Sequence, residues 1–184
     1  MSKLSLSILA TIIISVMLFS SCSKNSTSPA PTLYDSLGST ALVIDPAHSG
    51  TMIEKGRLTI RSVVDSTIFV IAADTNINVF FKVLLAEVTS GNTSGFQALS
   101  KNLTDFICVG TGAKNFTYGG KSMHDAHDPT TNNRMNGKAQ SDDFDSFEQD
   151  LTKGAAKNGV PSTAQVFVSL AKIVESLRSQ VVQM

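Results

Sequence analysis

The 184 residues carry 15 Lys/Arg and 15 Asp/Glu, for a formal net charge of zero, and apolar side chains make up 42% of the chain. A neutral chain without a basic stripe is not built to hold nucleic acid. The two cysteines are Cys22, at the end of an apolar leader, and Cys108, which sits alone in the apolar run "FICVG"; with no internal disulfide, the fold must stand on packing.

The leader "MSKLSLSILATIIISVMLFSSC" places Lys3 before an apolar run from Leu4 to Phe19, followed by small residues. That order describes an export signal. Ser5, Ser7, Thr11 and Ser15 interrupt the run, which is marginal for the roughly 20 apolar residues of a spanning helix. Leu18-Phe19-Ser20-Ser21-Cys22 resembles a bacterial lipobox, in which the cysteine is lipidated and becomes the first mature residue; Phe19 stands where an aliphatic residue is usual. Residues 1–21 are therefore read as a lipoprotein signal peptide, with Cys22 as the lipidation site. Acyl chains contribute about 0.8 kcal/mol per buried methylene, so two or more hold a protein at a membrane without a transmembrane helix. Ser23 in place of an aspartate points, by the same resemblance, to the outer membrane of a didermal cell envelope, on its periplasmic or surface face. Residues 22–32, polar and proline-containing, read as a flexible tether, and 33–184 as one domain of about 150 residues.

Within the domain, "LGSTALVIDPAHSG" reads as an irregular stretch before the first long helix. The spacing of Ile53, Ile60, Val63, Val64, Ile68 and Ile71 predicts a helix over "TMIEKGRLTIRSVVDSTIFVIAAD", although its β-branched content would also suit a strand. Phe96, Leu99, Leu103, Phe106, Ile107 and Gly110 form the stripe of a second helix with Ser94 as its cap. A third, with Ser141 as cap and acids in its first turn, carries Phe144, Phe147 and Leu151 and stops at Lys157-Asn158-Gly159. A last helix opens at Pro161-Ser162 and carries Val166, Leu170, Ile173, Val174 and Leu177. With four or five helices and no strand pair, the expected class is all-α. There is no phosphate-binding glycine loop, no nucleophile elbow and no paired-carboxylate arrangement, so hydrolase chemistry has no support.

Taken in order, "TLYDSLG", "IAADTNINVFF", the amphipathic helix from Phe96, the glycine break at Gly110 and Gly112, "YGGKSMHDAH" and "LTKGAAKNGVP" resemble a truncated haemoglobin of the first group, over nearly the whole span from Thr32 to Val182. The resemblance implies a globin-like, two-over-two helical sandwich with extended loops, haem as cofactor, and a diatomic gas (oxygen, nitric oxide or carbon monoxide) or an electron as what it handles. It names no redox partner. Such a protein is more a ligand binder than an enzyme. The position matching the family's iron ligand is His127, four after Met123, whose thioether lies one turn back on the same face and suits a flat macrocycle. Phe80, or less aptly Phe81, matches the aromatic wedged against the ring. Leu99, Leu103 and Phe106 match the distal wall, and Tyr118 and Lys121 the partners of a haem propionate.

The chain departs from the family where bound oxygen is usually held. The distal tyrosine position falls on Ile68 and the distal glutamine position on Leu103, both apolar. Thr67 and Asn102 are the adjacent polar residues should the register be shifted by one. The stretch from Tyr34 to Asp74 is also on the order of 15 residues longer than in the family, and the loop after His127 is extended; loops of such length tend to be functional. Two other readings of the same residues stand beside this one. His124 and His127, at i and i+3 with Asp125 and Asp128 near them, suit a divalent metal, with His48 the remaining histidine. The third reading is a haem-free globin-fold module with a structural or sensory role in the envelope.

Overall fold

The computed structural model describes residues 29–184, so the expected signal peptide, Cys22 and most of the tether lie outside the described residues. Pro31–Met184 form one compact unit. Its elements are α1 (Leu33–Ser36), strands β1 (Leu42–Ile44) and β2 (Met52–Glu54), α2 (Lys55–Ala73), a 3-10 turn (Asn78–Phe81), α3 (Lys82–Thr89), α4 (Ser94–Gly110), α5 (Met123–His127), α6 (Ser141–Lys157), α7 (Gln165–Glu175) and α8 (Arg178–Val181). The class is all-α, as expected, with α2 packed between α4 and α6.

Helix α2 is the shared wall of both core clusters. Val63 turns toward α6 and α7, where it meets Phe144, Leu151, Ala155, Phe167 and Val174. Ile60, Val64 and Ile68 turn the other way, onto Tyr34 of α1 and Cys108 of α4. The α2–α6 crossing is close because Gly154 lacks a side chain: a Cβ there would lie 2.8 Å from the Thr67 backbone nitrogen and 2.9 Å from its Cα.

The hairpin corrects the expectation that no strands pair. β1 and β2 run antiparallel with Leu42 opposite Glu54, Val43 opposite Ile53 and Ile44 opposite Met52. Ile53 therefore belongs to β2, not to the first long helix, and α2 starts at Lys55. The β-branched run suited both states, and contacts distant in sequence chose between them. The amides of Lys55 and Gly56, which a helix start leaves unpaired, donate to the carbonyls of Ala41 (2.7 Å) and Ser39 (3.0 Å). Asp45, in the hairpin loop, takes both guanidinium nitrogens of Arg61 on α2 (2.5 and 3.0 Å) together with the Ala47 amide. That ion pair holds the Asp45 carboxyl well below its ordinary range, chiefly through the Arg61 hydrogen bonds.

Four helix ends also differ from the sequence reading, among them the start of the last helix, which is at Gln165 and not at Pro161-Ser162. Ser94 is the first residue of α4 and the cap position falls on Thr93. α6 is capped not by Ser141 but by Gln140, in a reciprocal box with Asp143. The last helix stops at Glu175 and resumes as α8 from Arg178, whose guanidinium stacks over Phe144 (4.4 Å) and reaches Asp145, Glu148 and Glu175. The expected stop of α6 is present: Asn158 caps it and Gly159 takes φ +73°.

Candidate cofactor site around His127

α5 is one of the shortest helices in the chain, and side chains hold it together. Its N-cap is Ser122, whose hydroxyl accepts the Asp125 amide at 3.0 Å. At the other end three of the carbonyls that a helix leaves unpaired, those of His124, Asp125 and Ala126, are taken. His127 Nδ1 lies 2.8 Å from the Met123 carbonyl, Gln183 donates to the His124 carbonyl at 2.9 Å, Thr131 to that of Asp125 at 2.7 Å and Asn132 to that of Ala126 at 2.7 Å. The extended loop after His127 thus folds back to cap the helix that carries it.

The first of these contacts fixes the state of the imidazole. A carbonyl only accepts, so His127 Nδ1 carries the proton and donates it, and in the neutral ring Nε2 is left with a lone pair. Burial keeps the ring neutral, lowering its pKa below the ordinary histidine value, while the bond to Met123 opposes that shift. His127 is thus a neutral nitrogen donor oriented by a backbone carbonyl, the arrangement that fixes metal-ligating imidazoles. His124, by contrast, is solvated, with its side chain 57% exposed beside Asp125. Among the described residues no three His, Cys, Asp or Glu side chains converge as the ligands of a bare ion. One neutral imidazole nitrogen would suit an iron macrocycle, which would bring its other donors with it. It does not fit a metal that needs several protein ligands.

The segment bearing His127 is tied to the two elements named as pocket walls. Upstream, the Tyr118 ring packs edge-on against Phe106 of α4 with centroids 5.2 Å apart, and its hydroxyl donates to the Lys121 carbonyl at 2.6 Å. Downstream, Asn136 donates from its amide to the Phe80 carbonyl (3.1 Å) and from its side chain to that of Val79 (3.0 Å). Arg134 forms a two-pronged pair with Glu87 of α3 at 2.7 and 2.8 Å. Phe80, Phe81, Leu99, Leu103, Phe106 and Met123 are all half-buried. Large apolar side chains left partly open on the 3-10 turn, α4 and α5 leave apolar surface that a flat apolar group would cover.

The remaining sequence-named residues have other engagements. Ile68 is buried in the α2–α4 core, and Leu99 and Leu103 pack against the same cluster. Lys121 is exposed and its Nζ donates to the Thr131 carbonyl at 2.8 Å, so it and Tyr118 both serve the loop around α5. The Thr67 hydroxyl donates to the Val63 carbonyl (2.8 Å) on the α6-facing side, and Asn102 is exposed. Neither is turned to the α4 stripe.

Sequence reasoning missed the polar residues that build this region. Thr131, Asn132, Arg134 and Asn136 lie in a stretch, "TTNNRMNG", that reads only as loop; its richness in short side chains able to bond backbone was the available signal. It also missed the buried polar knot on α2 and α4, where Arg57 pairs with Asp105 at 2.5 Å and lies over the Phe116 ring, Tyr34 donates to Glu54 at 2.7 Å, and Ser100 donates to Asp65 at 2.5 Å.

Comparison with family profiles and with curated proteins found no match. Among solved structures, the chain is similar to truncated haemoglobin from Tetrahymena pyriformis. Its Fe(III) form is 23% identical with a TM-score of 0.57, covering 84% of this chain and 100% of that one. A tyrosine-to-phenylalanine mutant of the same protein is 22% identical at the same TM-score and coverage. At this identity the likeness establishes the fold, which is that of a truncated globin.

Proposed function

We propose that this protein is a lipid-anchored, haem-binding globin that binds a diatomic gas or passes electrons in the bacterial cell envelope. The observation that carries the reading is the His127 imidazole, held neutral and donating from Nδ1 to the Met123 carbonyl, with Nε2 left as a ligand. The truncated-globin fold supports it, as does the set of half-buried apolar residues on the elements tied to α5. Bound haem supplies the iron that takes a gas or an electron. In this reading His127 would hold the haem iron, Met123 and Phe80 (Phe81 in second place) would pack against the ring, and Leu99, Leu103, Phe106 and Ile68 would line the opposite wall. Tyr118 and Lys121 stand at its edge, where a propionate would compete with their present partners.

The same reading makes the protein an unusual member of the first group. Ile68 and Leu103 offer no hydrogen bond to bound oxygen, so oxygen retention is weak and discrimination against carbon monoxide small. Cys22 carries the acyl chains and the outer membrane is the site, by the lipobox resemblance. Absorption spectra of the ferric, ferrous and carbonyl forms after haem is added test the proposal. A Soret band that His127→Ala abolishes or shifts is the expected result. A protein that stays colourless with excess haem overturns it.

A further inference from the structure

We propose that the β1–β2 hairpin is a membrane-docking platform, seating Leu42, Ile44 and Met52 on the bilayer surface that the Cys22 anchor holds close. The proposal rests on the lipid-anchored reading above. Its starting point is an inversion of the usual burial of a hairpin. The inward pair is Val43 and Ile53, and Ile53 is buried. Of the four outward positions, which alternation normally gives to polar residues, three are Leu42, Ile44 and Met52, exposed by 62, 72 and 52%; the fourth, Glu54 opposite Leu42, is half-buried with its carboxylate accepting from Tyr34 and Asn115. Ile44 and Met52 are cross-strand partners, and Leu42 lies two residues along the same face, so the three make one patch.

The patch is rigid and lies next to the tether. Asp45 and Arg61 fasten the hairpin to α2, and its base is fastened by the Lys55 amide on the Ala41 carbonyl. The end of the tether joins the same knot. The Asp35 carboxylate accepts from the Thr32 amide and hydroxyl (2.8 and 2.9 Å) and from the Ser39 hydroxyl (2.9 Å), and Ser39 in turn accepts the Gly56 amide. The chain from Cys22 to Thr32 reaches at most about 35 Å when fully extended. An anchored domain is therefore confined near the bilayer by the corner from which the hairpin projects. Lys55 and Lys114, both exposed, flank that corner, with Lys114 close enough to act on the Asp35 carboxyl. Cations beside an apolar patch suit the anionic surface of a bilayer, and neither a soluble acidic partner nor a buried interface needs the tether.

The chain contains no tryptophan, so one introduced residue reports its own surroundings. The full-length chain is produced in a bacterium, purified, and placed in phosphatidylethanolamine–phosphatidylglycerol vesicles as two variants, Ile44→Trp and Phe69→Trp. Phe69 is also 62% exposed but lies about 20 Å along α2 from the hairpin. We expect Ile44→Trp to show blue-shifted emission in vesicles and quenching by brominated lipid several-fold stronger than Phe69→Trp, with Met52→Trp repeating the result. Equal, weak quenching of all three overturns the proposal. So does emission from Ile44→Trp that is already blue-shifted without lipid or detergent, which assigns the patch to a second copy of the chain. The mass of the N-terminal peptide reads the anchor separately. Acylated Cys22 with an unquenched hairpin removes the docking surface and keeps the anchor; a quenched hairpin with bare Cys22 does the reverse.

Discussion

The α2–α6 face and the His127 face of the molecule are held together by different means. Toward α6 the contact is apolar and close, with Val63, Phe144, Leu151 and Ala155 buried and Gly154 drawn against the Thr67 backbone. Toward the His127 region, aromatic and aliphatic side chains remain half-open, and the segment is fixed instead by single hydrogen bonds from Asn132, Asn136, Thr131 and Gln183. The lesson is a division of labour. One face supplies cohesion through buried apolar contact, and the other keeps apolar side chains half-open and positions one imidazole through its backbone partner.

Mutation separates the two faces most sharply. Phe144→Ala removes a buried ring and should cost about 3–5 kcal/mol in urea unfolding of the haem-free protein. Phe80→Ala, from a half-buried position, should cost only about 1–2 kcal/mol while weakening haem uptake. Equal costs would break the comparison. Next in size, Gly154→Ala places a methyl against the Thr67 backbone and should cost about 1–3 kcal/mol, with α2 and α6 forced apart.

Acidity acts on the hairpin and on the His127 region through different groups. Asp45 has its carboxyl depressed by Arg61, so its contribution is present above the ordinary carboxylate range of about 4 and is lost as pH falls below it. Protection of the Ile53 and Lys55 amides, relative to the intrinsic exchange rate at each pH, should therefore fall below about pH 4, and Asp45→Asn should lower it at every pH. His127 shows the smallest effect. Its pKa is lowered from 6.5, so the folded state prefers the neutral ring. That preference stabilises the fold fully above about pH 6.5 and fades as pH drops through the folded value. Its ring resonances should titrate below the ordinary histidine value of about 6.5; a midpoint at or above that value would remove the desolvated, neutral ring.

The sequence was most informative where periodicity and a local motif agreed. The stripes from Ile60 to Ile71 and from Phe96 to Gly110, and the Asn158-Gly159 stop, are visible because an amphipathic helix writes its buried face at fixed spacing. Met123 and His127 are likewise legible, since i and i+4 share a face. The hairpin was not, because Thr51 to Ile53 suits strand and helix alike, and Asp45–Arg61 joins residues too far apart for any local pattern. Nor were the caps of α5, because Asn132 and Gln183 act on carbonyls whose positions the sequence does not state.

By itself, then, the sequence determined the long helices α2, α4, α6 and α7, the all-α class and the histidine worth watching, since each is fixed by residues within a few turns of one another. The tertiary structure alone decided which strand pairs, which helix ends are capped by distant side chains, and that His127 donates to Met123 from a desolvated ring. Those outcomes depend on which backbone groups come within hydrogen-bonding reach after the chain has packed.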